Sequence, residues 1–133
     1  MNNLMLTPIK TVSDHRGKLS VLSENLDVPF KIRRIYYIYN TNKIHERGFH
    51  AHKETRQFAI CIKGHCKIEM DNANNSKVYE LKDPCQGLLI DSMIWHYMFD
   101  FSDDCILLVL ANKLYDENDY IHDYEEFKSN CEI

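Results

Sequence analysis

The run Gln57-Phe58-Ala59-Ile60-Cys61-Ile62-Lys63, followed by Cys66-Lys67-Ile68-Glu69-Met70-Asp71, decides the fold. Side chains of an extended chain alternate between two faces. Phe58, Ile60 and Ile62 therefore share one face against Gln57, Ala59 and Cys61, as in a half-buried strand. Cys66, Ile68 and Met70 repeat the pattern. The polar stretch Asp71-Asn72-Ala73-Asn74-Asn75-Ser76 reads as a turn by composition, with Lys77–Lys82 returning as a hairpin partner before the break at Asp83-Pro84.

Working outward, Phe30–Tyr39, Gly87–Asp91, Ile94–Phe99 and Cys105–Ala111 supply further strands, and the last is an unbroken apolar run suited to burial on both faces. Helical spacing occurs at the C-terminus, where Tyr120, Tyr124 and Phe127 recur at i, i+4 and i+7 behind the acidic group Asp116–Asp119. This predicts a short helix packed outside the sheet. Many short strands with one late helix predict an all-β, double-sheet jelly roll or small barrel, able to hold a ligand between its sheets.

The chain of 133 residues is read as a single domain, 1–133, that must carry the whole function. Hydrophobic residues make up 44%, charged residues 27%, and the net charge is −4, which speaks against a nucleic-acid partner. No apolar run reaches the roughly 18 to 20 residues needed to cross a bilayer, and Met1–Lys10 has no signal-peptide pattern, so a cytoplasmic location is expected. The five cysteines, Cys61, Cys66, Cys85, Cys105 and Cys131, lack paired spacing and are expected as free, mostly buried thiols in a reducing compartment.

Chemistry concentrates in Gly48-Phe49-His50-Ala51-His52-Lys53-Glu54-Thr55-Arg56-Gln57. On an extended strand His50 and His52 point to one face. An arbitrary pair at this spacing more often only hydrogen-bonds, but here the flanking pattern resembles the first motif of the cupin superfamily. Gln57 stands where that motif usually has glutamate. Gly87 to Ser102 resembles the second motif, with Met98 where the last histidine ligand is usual. Amide and thioether are poor donors for hard or borderline divalent metals, so no metal is expected. His96, two positions before the usual ligand, is expected to face elsewhere. Two neutral histidines in a pocket suit acid–base chemistry near neutral pH.

Arg34-Ile35-Tyr36-Tyr37-Ile38-Tyr39, Arg47 through Lys53, Arg56-Gln57, Asp14-x-Arg16-Gly17-x-Leu19, Trp95 and Tyr115…Asp119-Tyr120-Ile121…Asp123-Tyr124 together resemble the nucleoside-diphosphate-sugar 3,4-ketoisomerases, from about residue 14 to 127. The resemblance implies a cupin jelly roll that converts TDP-4-keto-6-deoxyglucose to its 3-keto isomer without a cofactor. It implies His50 as the carbon-proton base, His52 as the relay to oxygen and Tyr37 as a hydroxyl donor to the enediolate. Arg16, Arg34, Arg47 and Arg56 are candidate pyrophosphate ligands, with Arg47 and Arg16 preferred, and Trp95 a candidate to cap the sugar or stack on the base. It further implies a homodimer in which Arg16 or its neighbours reach a partner's site, and a downstream PLP-dependent aminotransferase in 3-amino-3,6-dideoxy sugar synthesis. A 3,5-epimerase, a non-catalytic binding module and a metal-dependent dioxygenase remain as competing readings.

Overall fold

A computed structural model describes residues 6–132; residues 1–5 and 133, included in the single-domain reading, lie outside the described residues. Two five-stranded antiparallel sheets face each other. The first contains β1 (Leu6–Pro8), β4 (Arg34–Ile38), β6 (Gln57–Lys63), β9 (Gln86–Ile90) and β11 (Ile106–Ala111), in the order β1-β9-β6-β11-β4. The second contains β5 (Arg47–His52), β7 (Cys66–Asp71), β8 (Ser76–Leu81), β10 (Trp95–Phe99) and β12 (Tyr120–Ile121), in the order β12-β5-β10-β7-β8. A separate ribbon pairs β2 (Lys10–Asp14) with β3 (Gly17–Val21). This is the expected jelly roll.

Between the sheets lie Ala59, Cys61, Ile68, Met70, Leu88, Ile90, Leu107 and Val109, contributed by alternate positions of facing strands. Gln57–Lys63 departs from the half-buried expectation, because Gln57 through Cys61 are buried on both faces. The reason is a second apolar layer: Val28 and Phe30, ahead of β4, cover Phe58, Ile60 and Leu110 on the outside of the first sheet. β11 divides its apolar run in the same way, Leu107 and Val109 inward and Leu108 and Leu110 outward. Each fully buried aliphatic side chain contributes roughly 1.5–3 kcal/mol relative to exposure.

The predicted turn at Asp71–Ser76 joins β7 to β8, its backbone held by Asn72, whose side-chain oxygen accepts from Asn74 N at 2.9 Å and Asn75 N at 2.8 Å. The C-terminal helix α1 (Tyr124–Cys131) begins later than its periodicity suggested, with Asp123 as N-cap. Tyr120 lies on β12, paired opposite His52, while Asp116 caps a short 3-10 turn at Glu117–Asp119. Strand pairing with β5 overrides the local helical spacing at Tyr120. Phe127 is fully buried beneath α1 against Ala51, Trp95 and Ile121. No helix among the described residues is long and apolar enough to cross a membrane.

Candidate active site

At one end of the space between the sheets, Arg34, Tyr36, Ile38, Arg47, Gly48, His50, Met98, Tyr115 and Tyr120 line a cavity of about 350 Å³. β5 and β10 build its histidine wall. His50 pairs across the strands with His96, and ring centroids lie 5.1 Å apart for His50 and His52 and 4.9 Å for His50 and His96. His96 therefore lies on the same inner face as His50, buried behind it, contrary to expectation. It is the second residue of β10 and points inward, whereas Trp95, which begins the strand, points outward. Tyr120 lies edge-on to both His50 and His52, at 4.9 and 4.5 Å.

A bulge in β5 shapes this wall. His96 pairs with His50 but Tyr97 pairs with Gly48, leaving Phe49 as an extra residue with φ of 63°. In a regular strand, residues three apart point to opposite faces. The bulge cancels that parity, so Arg47, paired with inward-facing Met98, lines the same cavity as His50. Glycine is required at position 48: φ is 103°, and a Cβ would sit 3.0 Å from both the His96 carbonyl oxygen and the Tyr97 Cα.

Burial disfavours charge on all three rings. His50 is lowered to about 4 by burial and then by the field of His122, His52 to about 4 by burial and His50, and His96 to about 3 by burial and His50. His96 Nδ1 lies 3.1 Å from the Ile94 carbonyl, which can only accept, so Nδ1 carries the proton and Nε2 keeps its lone pair. The Nε2 atoms of His52 and His96 are buried without a hydrogen-bond partner among the described residues, as is Arg34 Nε. Two imidazole nitrogens and a fixed cation thus present unsatisfied groups, which buried polar atoms seldom do.

Asp119 anchors the wall from behind. Its carboxylate accepts Glu54 N at 2.8 Å, Thr55 N at 3.1 Å and the Thr55 hydroxyl. Burial acts to raise its pKa, but these donors outweigh burial and hold it below the ordinary carboxylate range.

Several expected site residues lie elsewhere. Tyr37 is 60% exposed on the outer face of β4. Its neighbour Tyr36 lines the cavity instead, its hydroxyl accepting from Gln57 Nε2 at 2.8 Å. Burial, reinforced by Tyr120, pushes Tyr36 up to about 12, so it stays a proton donor. Trp95 packs outside the sheet against Tyr124 and Phe127, with centroids at 5.4 and 5.9 Å, and does not line the cavity. Arg56 is held by Asp91 at 2.9 Å and by the Pro29 carbonyl at 3.0 Å, away from the histidines. Arg16 bonds Asp14 at 2.6 Å on the β2–β3 ribbon and is not part of this chain's own cavity. His50, His52, Arg34 and Arg47 do converge. Tyr115 and Tyr120, quoted as sequence matches but not assigned to the site, complete it.

A metal is the usual cupin occupant, and the donor set can be tested against it. The imidazole nitrogens of His50, His52 and His96 lie within 4.8 Å of one another, so these three would hold a cation, while Gln57 and Met98 offer weak further donors. Bound there, a divalent ion would polarise a carbonyl oxygen.

Fold and pocket together define a cupin-like jelly roll with a buried cavity walled by histidine, arginine and tyrosine side chains. Residues 2–132 match the family described as FdtA (WxcM-like, C-terminal), and the chain belongs to it. It is 44% identical over 119 residues, 90% of this chain and 86% of the relative, to TDP-4-oxo-6-deoxy-alpha-D-glucose-3,4-oxoisomerase of Aneurinibacillus thermoaerophilus. Among solved structures, a mutant of the 3,4-ketoisomerase QdtA from Thermoanaerobacterium thermosaccharolyticum in complex with TDP-4-keto-6-deoxyglucose superposes with a TM-score of 0.94 at 39% identity, over 98% of this chain and 95% of that one. WlaRA, a TDP-fucose-3,4-ketoisomerase from Campylobacter jejuni, does so at 0.91 and 38%, over 96% and 95%. The chain is an isomerase of the 3,4-ketoisomerase type.

Proposed function

We propose that this domain converts TDP-4-keto-6-deoxyglucose to a TDP-3-keto-6-deoxyhexose by histidine-mediated proton transfer. The observation that carries the reading is the convergence of His50, His52 and His96, all neutral, beside the arginines of one ligand-sized cavity.

The C4 carbonyl acidifies the proton on C3, and His50 removes it. O4 receives a proton from Tyr36 or His52, giving the enediol. The O3 proton then leaves as C4 is protonated, so the carbonyl moves from C4 to C3 with no net gain of protons or electrons. Tyr36 is aimed for the donor role because Gln57 occupies its acceptor side and leaves its own proton free. Arg34 and Arg47 suit the pyrophosphate, Arg34 through its unpaired Nε. Proton transfer by imidazole is favoured over metal chemistry because amide and thioether stand at two of the donor positions.

The same reading includes a homodimer, supported by exposed Ile35 and Tyr37 on β4, exposed Tyr39 just after it, and exposed Val12 and Leu19 on the ribbon. In that assembly Arg16 serves a neighbouring site. Free thiols at all five cysteines support a reducing, cytoplasmic setting, and a 3-keto product suits a PLP-dependent aminotransferase that makes 3-amino sugars.

The test is incubation of chelator-treated protein with TDP-4-keto-6-deoxyglucose in deuterated buffer, followed by NMR. A 3-keto product is expected, absent with His50→Asn. A ketone retained at C4 with exchange at C3 and C5 would indicate a 3,5-epimerase, and loss of turnover on chelation, restored by metal, would overturn the metal-free route.

A further inference from the structure

The other end of the inner core carries a second cluster that the isomerisation leaves unused. Cys61 on β6, Cys66 at the start of β7 and Cys105 just ahead of β11 are fully buried, and their sulfurs lie within 4.8 Å of one another. Cys61 and Cys105 Sγ are 3.7 Å apart. Cys61 is four residues beyond Gln57 along β6, about 13 Å away along a strand. The cluster is therefore separate from the histidine cavity.

We propose that Cys61, Cys66 and Cys105 form a binding site for a trivalent thiophile, with arsenite as its representative. Three sulfurs on a pyramid with bonds of about 2.3 Å stand about 3.5–4 Å apart, close to the spacing already present. Soft thiolates select soft ions. Two features favour a three-coordinate trivalent centre over zinc. A structural zinc site closes with four ligands, and among the described residues no fourth His, Cys, Asp or Glu joins this group. The surroundings, which include Ile68, Leu81, Phe101 and Leu107, are apolar, and a buried net charge there is costly.

Arsenite avoids that cost. As(OH)3 is neutral, and its reaction with three thiols forms three As–S bonds, breaks three As–O bonds and moves the three thiol protons onto the departing hydroxides as water. The product is neutral and no oxidant or reductant takes part. Entry requires movement of the Phe101–Cys105 segment, which closes this end through the Ser102 N bond to the His65 carbonyl at 2.9 Å and the Cys105 N bond to the Ser102 carbonyl at 3.1 Å.

The test uses reduced full-length protein carrying Cys85→Ser and Cys131→Ser, which removes the two remaining thiols. One equivalent of arsenite is expected to give a mass gain of one arsenic less three hydrogens by native mass spectrometry, with the circular dichroism unchanged. Cys66→Ala on the same background is expected to weaken binding at least tenfold. Absence of the adduct, an adduct keeping a hydroxide, or one undiminished by Cys66→Ala overturns the proposal. Should Cys66→Ala not fold, X-ray absorption on the background protein decides: three As–S contacts and no As–O support the site, and any other shell overturns it.

Discussion

Trp95 and His96 are neighbours in sequence with opposite surroundings, and so are Tyr37 and Tyr36. On the inner face of β10, His96 meets His50 and His52 in a cavity with unsatisfied polar atoms. On the outer face, Trp95 meets Ala51, Ile121 and Phe127 in a dry apolar layer under α1. One peptide unit separates a site built to bind from a layer built to hold the helix. The faces of these strands, more than the residue types on them, decide which aromatic or basic side chain has a catalytic role.

The sharpest break of that contrast sets His50→Asn against Trp95→Ala. The first is expected to lower kcat/KM by about 10³ or more with little change in Tm, since general-base catalysis contributes about 10²–10⁴. The second is expected to cost about 3 kcal/mol of stability, as for other large-to-small core changes, while the folded fraction keeps near-normal turnover. Steady-state kinetics beside thermal melts separates them; equal kinetic losses would erase the distinction.

Next in size are the arginines. Arg34→Met is expected to raise KM about 10–100-fold through loss of a charge-assisted bond to the substrate anion. Arg56→Met, which breaks the Asp91 and Pro29 contacts and the guanidinium's place over the Phe30 ring, is expected to leave KM within about twofold. Smaller again is the tyrosine pair: Tyr36→Phe is expected to reduce kcat about tenfold, and Tyr37→Phe hardly at all. A loss at Tyr37 alone would return the hydroxyl role to the outer face.

The pH dependence tests the inner face as a unit. Because folding lowers the three histidines from 6.5 to about 4, 4 and 3, the unfolded chain binds more protons between those values. Their contribution to stability is present above pH 6.5 and is lost on acidification toward pH 4, with a slope of at most about 1.4 kcal/mol per histidine per pH unit. Tm should therefore fall across this window and fall less in His96→Asn. The acid limb of kcat/KM, which reports the free enzyme, should lie near pH 4–5, below that of an exposed histidine.

Much of this was legible in the sequence. Alternation located β6 and β7, the apolar run located β11, and the spacing of His50 and His52 placed both on one face because the strand between them is regular. Tyr37 was misplaced because Ile35, Tyr36, Tyr37 and Ile38 give both faces similar composition, so parity had no internal marker. Arg47 lines the cavity even though simple alternation from His50 would have turned it outward; the bulge at Phe49 reverses that result, and a positive φ at a phenylalanine has no signature in composition. The ribbon strands β2 and β3 are largely exposed, so they lack the apolar alternation that reveals a buried strand. Tyr120 followed a helical period by coincidence, and its pairing with His52 is a tertiary contact between residues 68 positions apart.

The unpaired residue at Phe49 also acts as a phase shifter for redesign. Deleting it would join Gly48 directly to His50 and put Arg47 two residues before His50, so regular alternation would keep Arg47 on the cavity face with His50 and His52. Straightening the strand with Phe49 retained would instead put Arg47 three residues before His50 and turn it outward, uncoupling anion recruitment from the proton chemistry, whereas changes of length ahead of Arg47 would leave the phase of the histidine wall untouched.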